Sequence, residues 1–336
     1  MSTMQVLPPL EDAARKLATL YAPIALDLAE AERIFEAELE SRFPFVRRLV
    51  DQCSRFRGKR LRPALVLISA SACGEIRSDH HVLAAVVEMI HTATLVHDDI
   101  LDEALIRRHA GTVNAEWGNE PAVLMGDYLF THSFHLAASL ESTLACRWIG
   151  RATNLVCEGE LQQVHQRGNL DLDEEAYFDI IRGKTAELTA VCCRLGAHYA
   201  GADEETVAAL DHYGREVGVA FQIADDVLDL WGEERATGKT LGTDLEKQKL
   251  TLPVIRLLSI SSADVQARVR SLLAEARSGV RRELQPYLKA SGSLDYAWQR
   301  AKECVSSAVA ALDILPDSLG KSHLRTLAYA VIRRST

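Results

Sequence analysis

The pattern Asp-Asp-x-x-Asp occurs twice, at Asp98-Asp99-Ile100-Leu101-Asp102 and Asp225-Asp226-Val227-Leu228-Asp229, and each copy closes a strongly apolar stretch. On a helix the first and last Asp of a copy project from one face a turn apart, and the middle one reaches the same rim. The chain thus offers two carboxylate-lined rims. Converged without a counter-charge, these groups would repel one another and raise each other's pKa values, so a fold that joins the rims needs bound cations. Oxygen ligands without a Cys or His set suit Mg²⁺ or Mn²⁺, and Mg²⁺ commonly bridges one or two carboxylates to substrate phosphates. The pattern therefore predicts a substrate carrying a diphosphate. One copy alone would read equally well as a solvated acidic helix end. Two copies, preceded by HVLAAVVEMIHTATLVH and VGVAFQIA, do not.

The rims share a site only if the residues between them fold as one unit. No Pro/Gly/Ser-rich linker, low-complexity run or further repeat interrupts the 336 residues, so the expected organisation is one domain over residues 11–336 behind a flexible segment at 1–10. With 48% apolar and 25% charged residues the composition is that of a globular protein able to bury a large core. A formal charge of -9 argues against a nucleic-acid partner, which needs a basic surface, but leaves room for a phosphorylated substrate on a local basic patch. The seven cysteines, at 53, 73, 146, 157, 192, 193 and 304, include no CxxC pair and leave an odd count, which suits reduced thiols in the cytoplasm. The N-terminus lacks the basic and apolar regions of a signal peptide, and no apolar run reaches the ~20 residues of a transmembrane span.

Apolar residues recur at helical spacing almost throughout, with Ala, Leu, Glu and Arg dominant, so the expected fold is all-α with no strand pair. Helices are expected from Glu11 to Glu40 with a break, Pro63 to Ala72 with Gly74 as the stop, His80 to Glu103, and Pro121 to Leu140 after a loop at Arg107 to Asn119. Others are expected at Leu144 to Gln166, Asp173 to Gly201, Glu204 to Leu230, Thr251 to Leu258, Ala263 to Arg277, Leu294 to Leu312 and Ser318 to Arg334. The Gly- and Thr-rich segment from Trp231 to Leu245 reads as a mobile loop beside the second Asp motif.

Basic residues accompany the carboxylates in a fixed order. Gly58-Lys59-Arg60-Leu61-Arg62-Pro63 concentrates positive charge before a helix, and His91 lies about two turns from Asp98 on the same face. Arg107 and Arg108 follow the first motif, Lys184-Thr185 lies between the motifs, Gln222 precedes Asp225 by about one turn, and Lys239 and Lys249 flank the end of the Gly/Thr-rich loop. Alone, GKRLRP would be an exposed basic turn and His91 a core histidine.

Together, and through IHTATLVHDDILDEALIRR and AFQIADDVLDLWG in particular, these motifs resemble the trans-isoprenyl diphosphate (polyprenyl) synthases, above all their bacterial long-chain members. The resemblance covers Gly58 to Pro253 and weakens in the flanks. It implies a single-domain helical bundle around a deep central cavity, the isoprenoid synthase fold, usually as a homodimer. The reaction implied is head-to-tail condensation of isopentenyl diphosphate onto an allylic diphosphate such as farnesyl diphosphate, with release of pyrophosphate.

By the same resemblance Asp98, Asp99, Asp102, Asp225 and Asp226 hold three Mg²⁺ ions, for which Mn²⁺ substitutes, and Asp229 acts through water. Lys59, Arg62, His91 and Arg108 bind isopentenyl diphosphate. Arg107, Lys184, Thr185, Gln222, Lys239 and Lys249 serve the allylic diphosphate, with Arg presenting a planar fork suited to phosphate. Gly159-Glu160-Leu161-Gln162-Gln163 matches a helix of the cavity wall. The family's short-chain members commonly carry an aromatic residue five positions before the first Asp, and Ala93 stands there. A long product of roughly C35 to C50 is implied, of the kind used as a quinone side chain, with transient membrane contact for its release. The helical wheel alone favours Thr94, four before Asp98, as the tunnel residue, and Phe134 is the candidate floor.

Four rivals are weighed. A metal-dependent phosphohydrolase would use His91, His97 and Asp98, but explains neither the second DDxxD nor GKRLRP. A terpene cyclase has no use for Lys59, Arg62 and His91. A regulatory subunit would lack some of the Asp and Arg residues kept here. A short-chain synthase differs only in the depth of its cavity.

Overall fold

The helical spacing resolves into sixteen α-helices in the computed structural model, which describes residues 19–55, 58–108, 110–232 and 241–333. After a 3₁₀ turn at Ala22–Ile24, α1 spans Ala25–Glu38, α2 Pro44–Arg55, α3 Leu61–Cys73 and α4 Ser78–Leu101. A small hairpin of β1 (Ile106–Arg107) and β2 (Ala110–Gly111) leads to α5 (Val113–Trp117), α6 (Asn119–Ala137), α7 (Leu144–His165) and α8 (Glu174–Ile181). A π-helical turn at Arg182–Ala186 joins α8 to α9 (Glu187–Tyr199), followed by α10 (Glu204–Trp231) and α11 (Thr243–Glu246). The chain ends with α12 (Leu252–Ile260), α13 (Ala263–Ala274), α14 (Val280–Ser291), α15 (Ser293–Ala311) and α16 (Leu319–Arg333).

Two helices are apolar on nearly every side, which marks them as central. In α3 every residue from Pro63 to Ala70 is buried, and in α9 Leu188 to Cys193 and Leu195 to Ala197 are. They pass so closely that a Cβ added at Gly196 would lie 2.3 Å from the Val66 carbonyl oxygen. Asp173 and Asp203 cap α8 and α10 by accepting the backbone N–H groups of Ala176 and Thr206, and Gly74 ends α3 as expected. Apolar side chains of α3, α4, α7, α9 and α10 form one cluster, those of α8, α10 and α12 to α15 a second, and those of α1, α2, α4 and α6 a third. Among the described residues no helix is long and apolar enough to cross a membrane.

Several expected boundaries shift. The long helix over Asp173 to Gly201 is interrupted at Arg182–Ala186, where the backbones of α7 and the π turn meet through two glycines. A Cβ at Gly159 would lie 2.4 Å from the Lys184 nitrogen, and one at Gly183 would lie 2.8 Å from the Leu155 carbonyl oxygen. Four helices were not expected: the short α5 and α11, which fall where loops were expected, α2, whose Leu49 and Cys53 are buried, and α14, which accommodates Pro286 while burying Val280, Leu284 and Leu288 at four-residue spacing. The expectation of no strand pair is corrected by the hairpin, in which Ile106 pairs with Gly111 and Arg107 with Ala110. Arg108 sits at its turn with φ +50°. The start of the expected first helix and the flexible 1–10 segment lie outside the described residues, as does most of the expected loop over Trp231 to Leu245.

Candidate active site

Helix α4 delivers the first Asp motif at its C-terminal end. Asp99 is almost completely buried and accepts the Arg107 fork, with Nε 2.8 and 3.0 Å from its two oxygens and Nη2 2.7 Å from Oδ1. Burial raises its pKa, and Arg107 works against that rise. Asp98 lies on the Lys184 side, where burial, together with the charges of Glu160 and Asp102, pushes its carboxyl up to about 6 against the pull of Lys184 and Arg107. Asp102 goes the other way: burial alone would raise it, but Lys249 and Lys247 hold it below the usual range, their Nζ atoms 3.2 and 3.0 Å from Oδ1. Arg167 approaches the same oxygen at 3.6 Å. Lys247 and Lys249 follow the second motif and Arg167 lies between the two, so these cations tie the first rim to segments on either side of the second.

Helix α10 delivers the second motif. Asp226 is buried and accepts hydrogen bonds from Tyr177 Oη at 2.6 Å and Gln222 Nε2 at 2.7 Å. Burial and the nearby charges of Asp244 and Asp225 carry its carboxyl up to about 8 despite those donors. Asp229 accepts the N–H groups of Gly242 and Asp244 at 3.1 and 3.3 Å and the Thr243 hydroxyl at 3.3 Å, which pins α11 beneath the rim. The seventh carboxylate, Asp244, is pushed up to about 6 by burial and by Asp229, with Lys249 and Lys184 opposing.

Between the rims, the π turn positions Lys184. Its Nζ lies 2.7 Å from Glu160 and 2.9 Å from Gln163, both from the GELQQ segment of α7. Thr185 Oγ1 donates to Gln222 Oε1 at 2.8 Å, and Gln222 then donates to Asp226, so the Lys-Thr pair is wired directly to the second motif. π turns inside α-helices are frequent at functional sites.

The second basic group gathers around α3 and α4. Arg62 is half-buried, with its Nε enclosed and lacking any hydrogen-bond partner, and desolvation lowers its pKa. Desolvation and the charges of Arg62, Arg108 and Arg107 hold the His91 imidazole well below its usual range, so it is neutral at pH 7. Gly58 makes room for the Arg108 guanidinium, because a Cβ there would stand 2.4 Å from Nη1. Lys59 is exposed at the rim of this group.

The remaining expected residues are placed separately. Ala93 is fully buried in the third apolar cluster with Phe35, Met89, Met125 and Leu129, while Phe134 packs half-buried against the first cluster and Thr94 is half-buried on α4. Lys239 lies outside the described residues. His97 turns toward α6, 3.2 Å from the Val123 carbonyl oxygen and 3.6 Å from Asp127, so it does not join His91 and Asp98 in the triad a phosphohydrolase would need.

Asp244, Lys247, Tyr177 and Arg167 escaped sequence reasoning. Asp244 and Lys247 stand in GTDLEKQK, where the alternation of acid and base around Lys249 was the only signal. Among the described residues no three His, Cys, Asp or Glu side chains are gathered as a metal cluster. The donor set nevertheless fits a hard divalent cation: every candidate ligand is a carboxylate, and those of Asp98, Asp226 and Asp244 are pushed toward a neutral form that a bound cation would reverse. Asp98, Asp102 and Asp225, with Asp226 and Asp244 behind them, are the groups that could hold it.

The family model described as polyprenyl synthetase matches residues 44–288. The chain is 38% identical over 311 residues to an octaprenyl diphosphate synthase of Haemophilus influenzae, covering 92% of this chain and 94% of the relative. It is 36% identical to a geranylgeranyl diphosphate synthase of Mycobacterium tuberculosis, over 82% of this chain and 80% of that one. Among solved structures, a polyprenyl synthase of Caulobacter crescentus in complex with calcium and isoprenyl diphosphate superposes with a TM-score of 0.89 at 33% identity, over 95% of this chain and 98% of the other.

Proposed function

This chain belongs to the polyprenyl synthetase family and is a trans-prenyltransferase of the all-α isoprenoid synthase fold; from that premise we propose that it extends an allylic diphosphate such as farnesyl diphosphate with isopentenyl diphosphate to a C35 to C50 all-trans product. The observation that carries the two-substrate reading is the second basic pocket. The Nε of Arg62 is buried with an unmet N–H, beside a neutral His91 and the Arg108 guanidinium, and a buried donor of this kind calls for an anionic acceptor.

In this reading Arg62, His91, Arg108 and Lys59 hold isopentenyl diphosphate with its double bond toward the allylic carbon. Lys184, Arg107 and Lys249 orient the allylic diphosphate, and Thr185 and Gln222 fix the position of Asp226; Lys239 is assigned to the same group. Divalent cations held by the Asp motifs, Mg²⁺ by preference and three in number by family likeness, would stabilise the negative charge gathering on the leaving diphosphate. The allylic C–O bond breaks with both electrons leaving on the diphosphate. The isopentenyl double bond attacks the resulting cation, and the departing diphosphate takes the proton that restores an alkene. No protein nucleophile is required.

The long-product reading is supported by Ala93, a small residue among adaptable Met89 and Met125. Chromatography of dephosphorylated products made from labelled isopentenyl diphosphate and farnesyl diphosphate is expected to show C35 to C50 chains. A main product of C15 or C20 would make this a short-chain synthase, and a cyclic hydrocarbon a cyclase. Arg62→Ala is expected to raise the KM for isopentenyl diphosphate at least ~10-fold, or ~1.4 kcal/mol, while the allylic KM stays within about twofold. An equal or larger rise in the allylic KM would show that the two pockets have been exchanged.

The homodimer is supported by exposed apolar side chains on α6 and α7, namely Val123, Leu124, Leu161 and Val164. Membrane contact during release is supported by Phe43 and Phe45, exposed on and beside α2 with the guanidiniums of Arg42 and Arg48 over their rings. The Lys247 and Lys249 links to Asp102 favour one domain, and the free state of all seven cysteines favours the cytoplasm.

A further inference from the structure

A second charged cleft, of about 370 Å³, lies between α7, α9 and α10, and none of its residues belongs to the site described above. Arg151, Arg194 and Arg215 line it with Glu187, Asp211 and Trp148. Both carboxylates are committed to a single partner: Arg215 pairs with Glu187 and, at 3.0 Å, with Asp211. The Arg194 guanidinium instead lies over the Trp148 indole, 3.9 Å from the ring centroid. Stacking occupies its face and leaves its in-plane N–H groups for an acceptor. Neither Arg194 nor Arg151 meets a carboxylate within ion-pair distance among the described residues, although both are near enough to Asp211 to oppose the rise in its pKa caused by burial. Two guanidiniums without a paired carboxylate, in a chain whose formal charge is -9, form a local anion trap.

The floor adds a second chemistry. Val191 and Ala152 are buried beneath the arginines, so the cleft offers an apolar surface next to its donors. Its volume exceeds what a bare anion fills and falls within the range of small-ligand sites. We propose that this cleft is a second anion site, binding the phosphate or diphosphate group of a small ligand between Arg151 and Arg194. Two sources share that chemistry, inorganic pyrophosphate and the headgroup of a short prenyl phosphate. The cleft also touches the catalytic machinery, because Glu187 directly follows the π turn that carries Lys184 and Thr185, and Arg215 lies about two turns before Gln222 on α10. The proposal does not depend on the chain-length reading.

The test uses the full chain in EDTA, which removes divalent cations from the Asp motifs, and follows binding by calorimetry and tryptophan fluorescence. Inorganic pyrophosphate and geranyl monophosphate are the two probes. Saturable binding is expected that weakens at least tenfold in Arg151→Gln/Arg194→Gln, weakens in the same direction in Arg151→Gln alone, and is unchanged in Arg62→Ala. Trp148→Phe should remove the fluorescence response while the calorimetric signal persists. Tighter binding of geranyl monophosphate assigns the prenyl source, and equal or tighter binding of pyrophosphate assigns the free anion. Binding lost in Arg62→Ala but intact in both Arg151 variants would overturn the proposal, as would no binding of either probe at millimolar concentration. Circular dichroism of each variant separates loss of the site from loss of the fold.

Discussion

Asp98→Ala and Asp225→Ala are each expected to lower turnover at saturating Mg²⁺ by at least ~10³, equivalent to ~4 kcal/mol of transition-state stabilisation. Around them Asp99 is held by Arg107, Asp102 by Lys247 and Lys249, Asp226 by Tyr177 and Gln222, and Asp229 by the backbone of α11. Asp98 sits opposite Lys184, desolvated and pushed up to about 6, and Asp225 adds its charge to the cluster of Asp226 and Asp244. On the proposed reading, removing either would take away charge through which bound cations stabilise the leaving diphosphate. Steady-state rates for each purified, folded variant decide the matter. More than a tenth of wild-type turnover in either would remove that residue from the metal-binding set. EDTA should abolish activity in the wild type, and excess Mg²⁺ should restore it.

Ala93→Tyr is expected to shift the main product from the proposed C35 to C50 down to C15 or C20 while condensation continues. Ala93 is fully buried among Phe35, Met89, Met125 and Leu129, and it lies ~7 Å along α4 from Asp98, the distance given by a rise of ~1.5 Å per residue. On the proposed reading a tail growing away from the Asp rim would pass between such side chains, and methionines can change shape to admit it. A phenol ring at this position would close the passage. It would also crowd the cluster, at a cost of ~1 to 3 kcal/mol, so product chromatography is paired with a thermal melt. A folded, destabilised variant that still makes the wild-type product would show that Ala93 only packs the core. Thr94→Tyr, one residue on and half-buried, then becomes the variant that locates the tunnel.

How much of this was visible beforehand depended on whether the signal was local. The Asp motifs, GKRLRP and the Lys-Thr pair are short contiguous strings, and helical spacing is written into α3, α4 and α10 by their apolar residues. Tyr177 is different: it reads as one more aromatic on α8, and only the packing of α8 on α10 brings its hydroxyl to Asp226. The π turn was invisible for the same reason, since Gly159 and Gly183 are ordinary helix glycines until two backbones are seen to touch. Helix α2 was overlooked because its charged residues outweigh a narrow apolar stripe, and α14 because Pro286 signals a break that the burial of Val280, Leu284 and Leu288 overrides. The hairpin at Ile106 to Gly111 is too short for any alternation to register.

The clasp on Asp102 carries a consequence for how the enzyme loads. Lys247 and Lys249, from beyond the second motif, and Arg167, from just past the end of α7, converge on Asp102 of the first, so the mouth of the site is latched by charge. On the proposed reading, a divalent cation would compete with these side chains for Asp102, and the diphosphate accompanying it would offer Lys247 and Lys249 a new anion. Each ion pair lost would then be replaced by another, so the balance of charge at the mouth would hardly change on loading. Added salt, which screens the half-exposed members of the latch, should ease the first exchange and weaken the last.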